Sequence, residues 1–147
     1  MASGWYNSGK RDLFDGTIDL VADTIKLILV SASYTPDADH AFVSSVSATE
    51  LTGTGYTAGF AGAGRKTITT KAFSTDTVND RAEFTFDAVV WTAINAGTAA
   101  YAILVKEITS DAASRLIAYL DISPDVVTNG GDFTLTPDAV LGALQIT

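Results

Sequence analysis

Two segments of almost continuous apolar residues stand out in the hydrophobic pattern of the chain. The first is TIKLILVSA (24–32) and the second is AAYAILVKEI (99–108). Runs of this length that are rich in branched residues are typical of strands buried on both faces. RLIAYLDI (115–122) follows the second run across the polar turn TSDAAS, so we expect these two strands to pair.

Shorter segments in which apolar and polar residues alternate predict further strands. In DRAEFTFDAVVWTA the side chains of Ala82, Phe84 and Phe86 fall on one face. The Asn79-Asp80 pair before them suits a tight hairpin turn. Three other segments fit strands: RKTITTKAF (65–73), DFTLTP (132–137) and GALQIT (142–147). The pattern therefore predicts about eight short strands, closed into an antiparallel β-sandwich.

The first nine residues have a different character. Residues 1–9 are rich in Gly and Ser but carry Trp5 and Tyr6. We expect a flexible N-terminal arm with aromatic contact residues, followed by a single sandwich domain over residues 10–147.

A short helix is predicted where this arm ends. The positions that follow a 3.6-residue spacing are Tyr6, Lys10, Leu13 and Phe14. Asn7 or Ser8 is a suitable N-cap and Gly16 a suitable stop. A helix of about two turns is not stable alone, so it must pack on the rest of the fold.

Composition supports a mainly β fold and limits the classes of binding partner that we expect. Only three Glu and five Lys occur among 147 residues, whereas Thr, Val, Ala, Ser and Asp dominate. The net charge is −8 and basic residues form no cluster, so nucleic acid is not expected as a partner. The chain has no cysteine and no apolar segment of membrane-spanning length, so we expect neither thiolate chemistry nor a membrane partner.

The segment SYTPDADHAF (33–42) is the first candidate for chemistry. It brings together Asp37, Asp39 and His40, the only histidine, and such side chains could hold a metal ion. The spacing of a calcium loop is incomplete, because no closing acid follows. A solvated turn with local Asx-type hydrogen bonds is the favoured interpretation, and no metal or other cofactor is predicted.

The glycine-rich segment GTGYTAGFAGAGR (53–65) invites comparison with a phosphate-binding loop. It lacks the Gly-Lys-Ser/Thr ending, and no helical pattern follows. We therefore expect a mobile or extended loop that orders against a partner, with Phe60 as an apolar anchor.

No enzyme is predicted. His40 is the only imidazole, no nucleophile elbow occurs, and most acids lie in turn contexts. A hydrolase with paired carboxylates stays open as a minor alternative. Trp91, Tyr101 and Tyr119 are expected in the core, although exposed aromatic side chains of this kind form stacking platforms in carbohydrate-binding sandwiches.

The order of these segments resembles a family of small structural proteins of tailed bacteriophages. The likeness begins with LFDGTIDLVADTIKLILVSASYTPDADHAFVSSVSATELTGTGYTAG, which contains a short helix ending in an acidic-glycine turn, a DTIK strand, the SYTPD loop and a GTGYTAG segment. The later segments NDRAEFTFDAVVWTA, AYAILVK, LIAYLDI and GGDFTLTPDAVLGALQI are similar to the later strands of that family, in the same order. The likeness covers nearly the whole chain, and FAGAGRKTITTKAFSTDTV is its least similar stretch.

The resemblance implies a virion structural protein without catalytic residues. The expectation is a capsid decoration (cement) protein that binds the major capsid protein on the capsid exterior, acts as a homotrimer and is made in the cytoplasm of a bacterial host. The alternative is an adaptor or receptor-binding module of a head fibre, tail or baseplate, with glycan recognition. The expected contact residues are Trp5, Tyr6, Asp37, Asp39, His40 and Phe60.

Overall fold

The strands and the helix of the fold are short, apart from two long strands in the middle of the chain. A computed structural model describes residues 3–139 and 142–146. Its elements are helix α1 (Asn7–Phe14) and the strands β1 (Gly4–Trp5), β2 (Lys26–Val30), β3 (Lys66–Thr67), β4 (Ala72–Asp76), β5 (Arg81–Thr85), β6 (Val89–Trp91), β7 (Gly97–Lys106), β8 (Arg115–Thr128), β9 (Phe133–Leu135) and β10 (Leu144–Ile146). The strands form antiparallel sheets arranged like a β-sandwich, which confirms the predicted fold class.

A five-stranded sheet with the order β1-β8-β7-β2-β3 lies at the centre. In β2, Leu27 and Leu29 pack into one hydrophobic cluster, while Ile28 and Val30 pack into a second cluster on the opposite face. Successive side chains of a strand point to opposite faces, so an uninterrupted apolar run requires cover on both sides. The pairing of β7 with β8 across the polar turn is confirmed.

Different parts of the chain cover the two faces of this sheet. The sheets β10-β5-β4 and β6-β9 supply buried side chains such as Phe84, Trp91 and Leu144 to the first cluster. The second cluster is closed by the segment after β2, which contains two 3₁₀ helices, Val43–Ser45 and Ser47–Thr49. Trp91 is fully buried, so this side chain is part of the core and is not a stacking platform for a sugar.

Two predicted strands are interrupted in the structure. The strand predicted over 65–73 is divided into β3 and β4 because Thr70 adopts a left-handed φ of 51°. The alternating segment from Asp80 to Ala93 is likewise divided into β5 and β6. Phe84 and Phe86 are buried on one side, as the alternation predicts.

The flexible arm predicted for residues 1–9 must be corrected for residues 3–9. Trp5 pairs with Ala118 of β8, and the Tyr6 N–H donates to the Ile117 carbonyl at 3.1 Å. Helix α1 then begins at Asn7. The Trp5 and Tyr6 side chains therefore dock on the sheet of their own chain, because β8 offers an edge on which this segment pairs.

The helix packs with only part of the face that its apolar spacing predicts, since Leu13 packs against the first hydrophobic cluster as predicted. Gly9 and Asp12 are its buried residues, whereas Phe14 is 89% exposed. A Cβ atom added to Gly9 would lie 2.4 Å from the Ile117 carbonyl oxygen. Helix and strand thus approach more closely than a side chain at position 9 would allow, and this contact turns Phe14 outward.

Candidate protein-binding surface

The loop 33–42 folds back on the start of α1. The Asp39 N–H donates to the Asp37 carboxylate at 2.9 Å, which confirms the predicted Asx-type turn. The Asp39 carboxylate accepts a hydrogen bond from Asn7 Nδ2 at 2.8 Å, and the Asn7 N–H donates to the Ala38 carbonyl at 2.8 Å. These two acids thus stabilise the turn and the helix start of their own chain, although both stay exposed.

His40 ends a row of three hydrogen-bonded side chains. Its Nδ1 atom lies 3.1 Å from the Tyr34 hydroxyl, which lies 2.8 Å from the Tyr6 hydroxyl. Tyr6 is fully buried, and this burial raises the pKa of its hydroxyl far above the ordinary range. The expectation that Tyr6 is a contact residue is therefore corrected: the hydroxyl has an internal partner and the ring belongs to the core.

The acids and the histidine do not form a metal-binding group. Across residues 3–139 and 142–146, three or more His, Cys, Asp or Glu side chains nowhere come together in a way that could hold a metal ion.

Within the same residues, no helix is long and apolar enough to cross a membrane.

A buried arginine holds the glycine-rich loop in place. The side chain of Arg65 has no exposed area, and its guanidinium lies 2.6 Å from a Glu50 carboxylate oxygen, 2.9 Å from Glu107 and 2.7 Å from Asp111. Burial alone would lower the pKa of Arg65, but the hydrogen bonds to these carboxylates outweigh burial and raise it. The arginine stays charged and joins three separate segments of the chain.

Phe60 projects from this loop between two anchored backbone groups. The Gly59 N–H donates to Glu50 at 3.1 Å, and the Ala61 N–H donates to Glu107 at 3.3 Å. The Phe60 side chain is 42% exposed. The expectation of a mobile loop is thus corrected, since contacts within the chain hold the loop and present Phe60 in one position.

Trp5 lies at the centre of an exposed apolar area. It lines a groove of about 300 Å³ together with Leu13, Phe14 and Ile146. A smaller hollow, also lined by Trp5 and Ile146, includes Phe73 in its lining. We call the area formed by Trp5, Leu13, Phe14, Phe73 and Ile146 the Trp5 surface.

The exposed fractions distinguish this area from an ordinary protein surface. Phe14 is 89% exposed, Phe73 54% and Ile146 50%. Scattered single apolar residues are common on protein surfaces, but adjoining large ones mark interaction sites. Trp5 is itself half-buried, held by a hydrogen bond of 2.9 Å from its Nε1 to the Gln145 carbonyl. It forms the floor of the Trp5 surface.

The two exposed features lie in different segments of the chain. Trp5 belongs to β1, which is one edge strand, and Phe60 precedes β3, which is the other. Of the expected contact residues, Trp5 and Phe60 are thus the apolar ones that the fold leaves accessible.

Comparison of the chain with family models, with curated proteins and with solved structures gives no match.

Sequence reasoning missed most of this geometry. Glu50, Glu107 and Asp111 lie 15, 42 and 46 residues from Arg65, so no local pattern joins them. One signal was present in the chain: Arg65 ends a glycine-rich segment, where a basic side chain can bind the backbone or acids near its own loop. The Trp5 surface was missed because it combines residues from both ends and from the middle of the chain.

Proposed function

We propose that this protein is a structural component of a tailed-phage virion, and specifically a capsid decoration protein that binds the outer head surface as an oligomer. The observation that carries the proposal is the Trp5 surface, an exposed apolar area on a chain of net charge −8. Copies that carry this net charge repel one another in solution. We therefore propose that attachment to the head surface uses apolar contact through the Trp5 surface.

The size of the Trp5 surface supports attachment through several copies. Complete burial of a Phe or Ile side chain is worth about 1.5–3 kcal/mol. Phe14, Phe73 and Ile146 are already partly buried, so one copy gains about 3–5 kcal/mol from burial. The translational and rotational freedom lost on association offsets most of this gain, so a single contact is weak. Several linked copies convert such weak contacts into a tight one.

A homotrimer is the oligomer that we propose for this purpose. Phe60 and the Trp5 surface are two separate exposed apolar features, so one can contact the shell while the other contacts a neighbouring copy. Contacts of this head-to-tail kind close into rings when the rotation between copies allows it. The proposed partner on the shell is the major capsid protein.

Imaging of the virion that carries this chain tests the proposal. We expect this protein on the outer head surface in hundreds of copies, as the subunit number of a capsid lattice requires. The alternative role, in a head fibre, tail or baseplate, would give about a dozen copies or fewer, in keeping with the low symmetry of those structures. That result would replace the proposed function by the alternative one.

A further inference from the structure

The groove beside Trp5 combines an apolar lining with one positive charge. It is lined by Trp5, Lys10, Leu13, Phe14, Gln145 and Ile146. None of these described lining residues is an acid, although the chain has 17 Asp and Glu against 9 Lys and Arg. At this groove an acidic protein therefore presents an apolar area together with a cation.

The Lys10 ammonium group is available to a carboxylate of another molecule. Lys10 is exposed, and its Nζ atom donates to the Asn7 side-chain oxygen at 3.4 Å, a long hydrogen bond to a neutral group. The same Asn7 side chain donates to the Asp39 carboxylate at 2.8 Å. Within residues 3–139 and 142–146 no carboxylate lies at ion-pair distance from Lys10. An ammonium group has three donors, so two of them can bind a ligand.

The other charged residues of α1 and of the turn after it have partners of their own. The Arg11 guanidinium lies 2.6 Å from an Asp12 carboxylate oxygen. The Asp15 carboxylate accepts a hydrogen bond from the Thr17 N–H at 2.9 Å. The positive charge of Lys10 is thus not neutralised by the acids nearest to it in the sequence.

The volume of the groove fits one large side chain better than a long segment. About 300 Å³ is at the lower end of the range of ligand pockets. A lysine can lay its methylene groups along an apolar surface while its charge stays in water. A side chain that enters the groove therefore contacts apolar groups and comes close to an ammonium group.

We propose that the groove receives a large apolar side chain of a capsid-shell protein, next to which that protein carries a carboxylate. Burial of the apolar side chain supplies the affinity, and the pair with Lys10 supplies orientation and selectivity. The inference rests on the proposed function for the identity of the partner, whereas the preference of the groove is measured on the free protein. Loss of this preference would leave attachment through apolar contact in place, so the two failures are distinguishable.

The indole N–H of Trp5 reports on the groove by NMR. The chain has two tryptophans, and Trp5 Nε1 donates to the Gln145 carbonyl, which belongs to a lining residue. Trp91 is fully buried and its Nε1 donates to the Gly64 carbonyl, so its resonance is an internal reference. Isotope-labelled protein is titrated with N-acetylphenylalanine and with its amide, which has the same apolar side chain without the carboxylate.

We expect both compounds to shift the Trp5 resonance, and the acid to bind about two- to fivefold more tightly than the amide at low ionic strength, as for an exposed ion pair. In Lys10→Met this ratio should fall to one. Lys66→Met is the matched control and should keep the ratio, because Lys66 lies on β3 and does not line the groove.

Three results overturn the proposal. The first is an unshifted Trp5 resonance, and the second is an equal affinity of the wild-type protein for acid and amide or a ratio that persists in Lys10→Met. The third is tighter binding of octanoate than of N-acetylphenylalanine, since the groove would then select a fatty acid instead of a protein side chain.

Discussion

At the scale of single residues, Arg65 joins segments that are far apart in the chain. Its side chain is completely buried, and it binds three acids that come from different parts of the chain. A buried charge of this kind adds little stability compared with an apolar core, but removal of one partner leaves the others unpaired in a low dielectric.

We therefore predict that Arg65→Met destabilises the protein by about 3–5 kcal/mol, because the buried Glu50 then loses the guanidinium that it is paired with, whereas Glu107 keeps its pair with Lys26. Chemical denaturation at neutral pH measures the change in the free energy of unfolding. Lys10→Met is the control, since Lys10 is exposed on α1 and its Nζ donates to the exposed Asn7 side chain. The control should unfold at nearly the wild-type denaturant concentration, and an equal loss in both variants would contradict the assigned role of Arg65.

Single residues also show where sequence reasoning succeeded. The Asx turn at Asp37 follows from the residues within the loop, and the structure contains it. The burial of Tyr6 could not be predicted in the same way. Its partners are Tyr34 and the backbone of β8, which lie far along the chain.

At the level of elements, the long apolar strands were the most predictable. Both β2 and β7 are buried on two faces, so their sequences are apolar throughout and local pattern is sufficient to find them. The pairing of β7 with β8 follows from the short polar turn between them. The division into β3 and β4 was not predictable, because the left-handed φ of Thr70 has no signal in the residue type.

The helix α1 shows why an apolar spacing can indicate the buried face only in part. The spacing of Phe14 with Leu13 and Tyr6 suggests a buried stripe, yet the helix approaches β8 through Gly9. The close approach of α1 to β8 at Gly9 determines how the helix packs. Phe14 is therefore exposed and contributes to the Trp5 surface.

This contact leads to a prediction at the scale of the helix. In Gly9→Ala the added methyl group would lie 2.4 Å from the Ile117 carbonyl oxygen, so helix and strand must move apart. We expect a loss of about 1–3 kcal/mol, the usual cost of overpacking. Thermal and chemical unfolding measure it, with the exposed Lys10→Ala in the same helix as control. Wild-type stability of Gly9→Ala would show that the helix is not held at this distance.

At the scale of the whole molecule, two regions of the surface differ. The glycine-rich loop is held by internal hydrogen bonds and ion pairs. The Trp5 surface instead leaves large apolar side chains exposed. The fold class was predictable from the chain, because alternation and turn residues repeat along its length. The candidate surface was not, since Trp5 and Phe14 meet Phe73 and Ile146 only in the folded protein.

The proposed function predicts an effect on the stability of phage heads. Burial of the Trp5 surface against the shell should link neighbouring capsid subunits, so heads that carry this protein should withstand a higher temperature than heads that lack it. Replacement of Phe14 and Phe73 by serine should remove most of the attachment without unfolding the protein, because both side chains are largely exposed. Val127→Ser changes an equally exposed residue outside the Trp5 surface and serves as control.

The most direct measurement adds purified protein to expanded heads that lack it and records the temperature at which they release their DNA. The account predicts that the wild-type protein and Val127→Ser bind to the heads and raise this temperature, and that the Phe14→Ser, Phe73→Ser double variant does neither. Heads that neither bind the wild-type protein nor gain resistance to heat would contradict it.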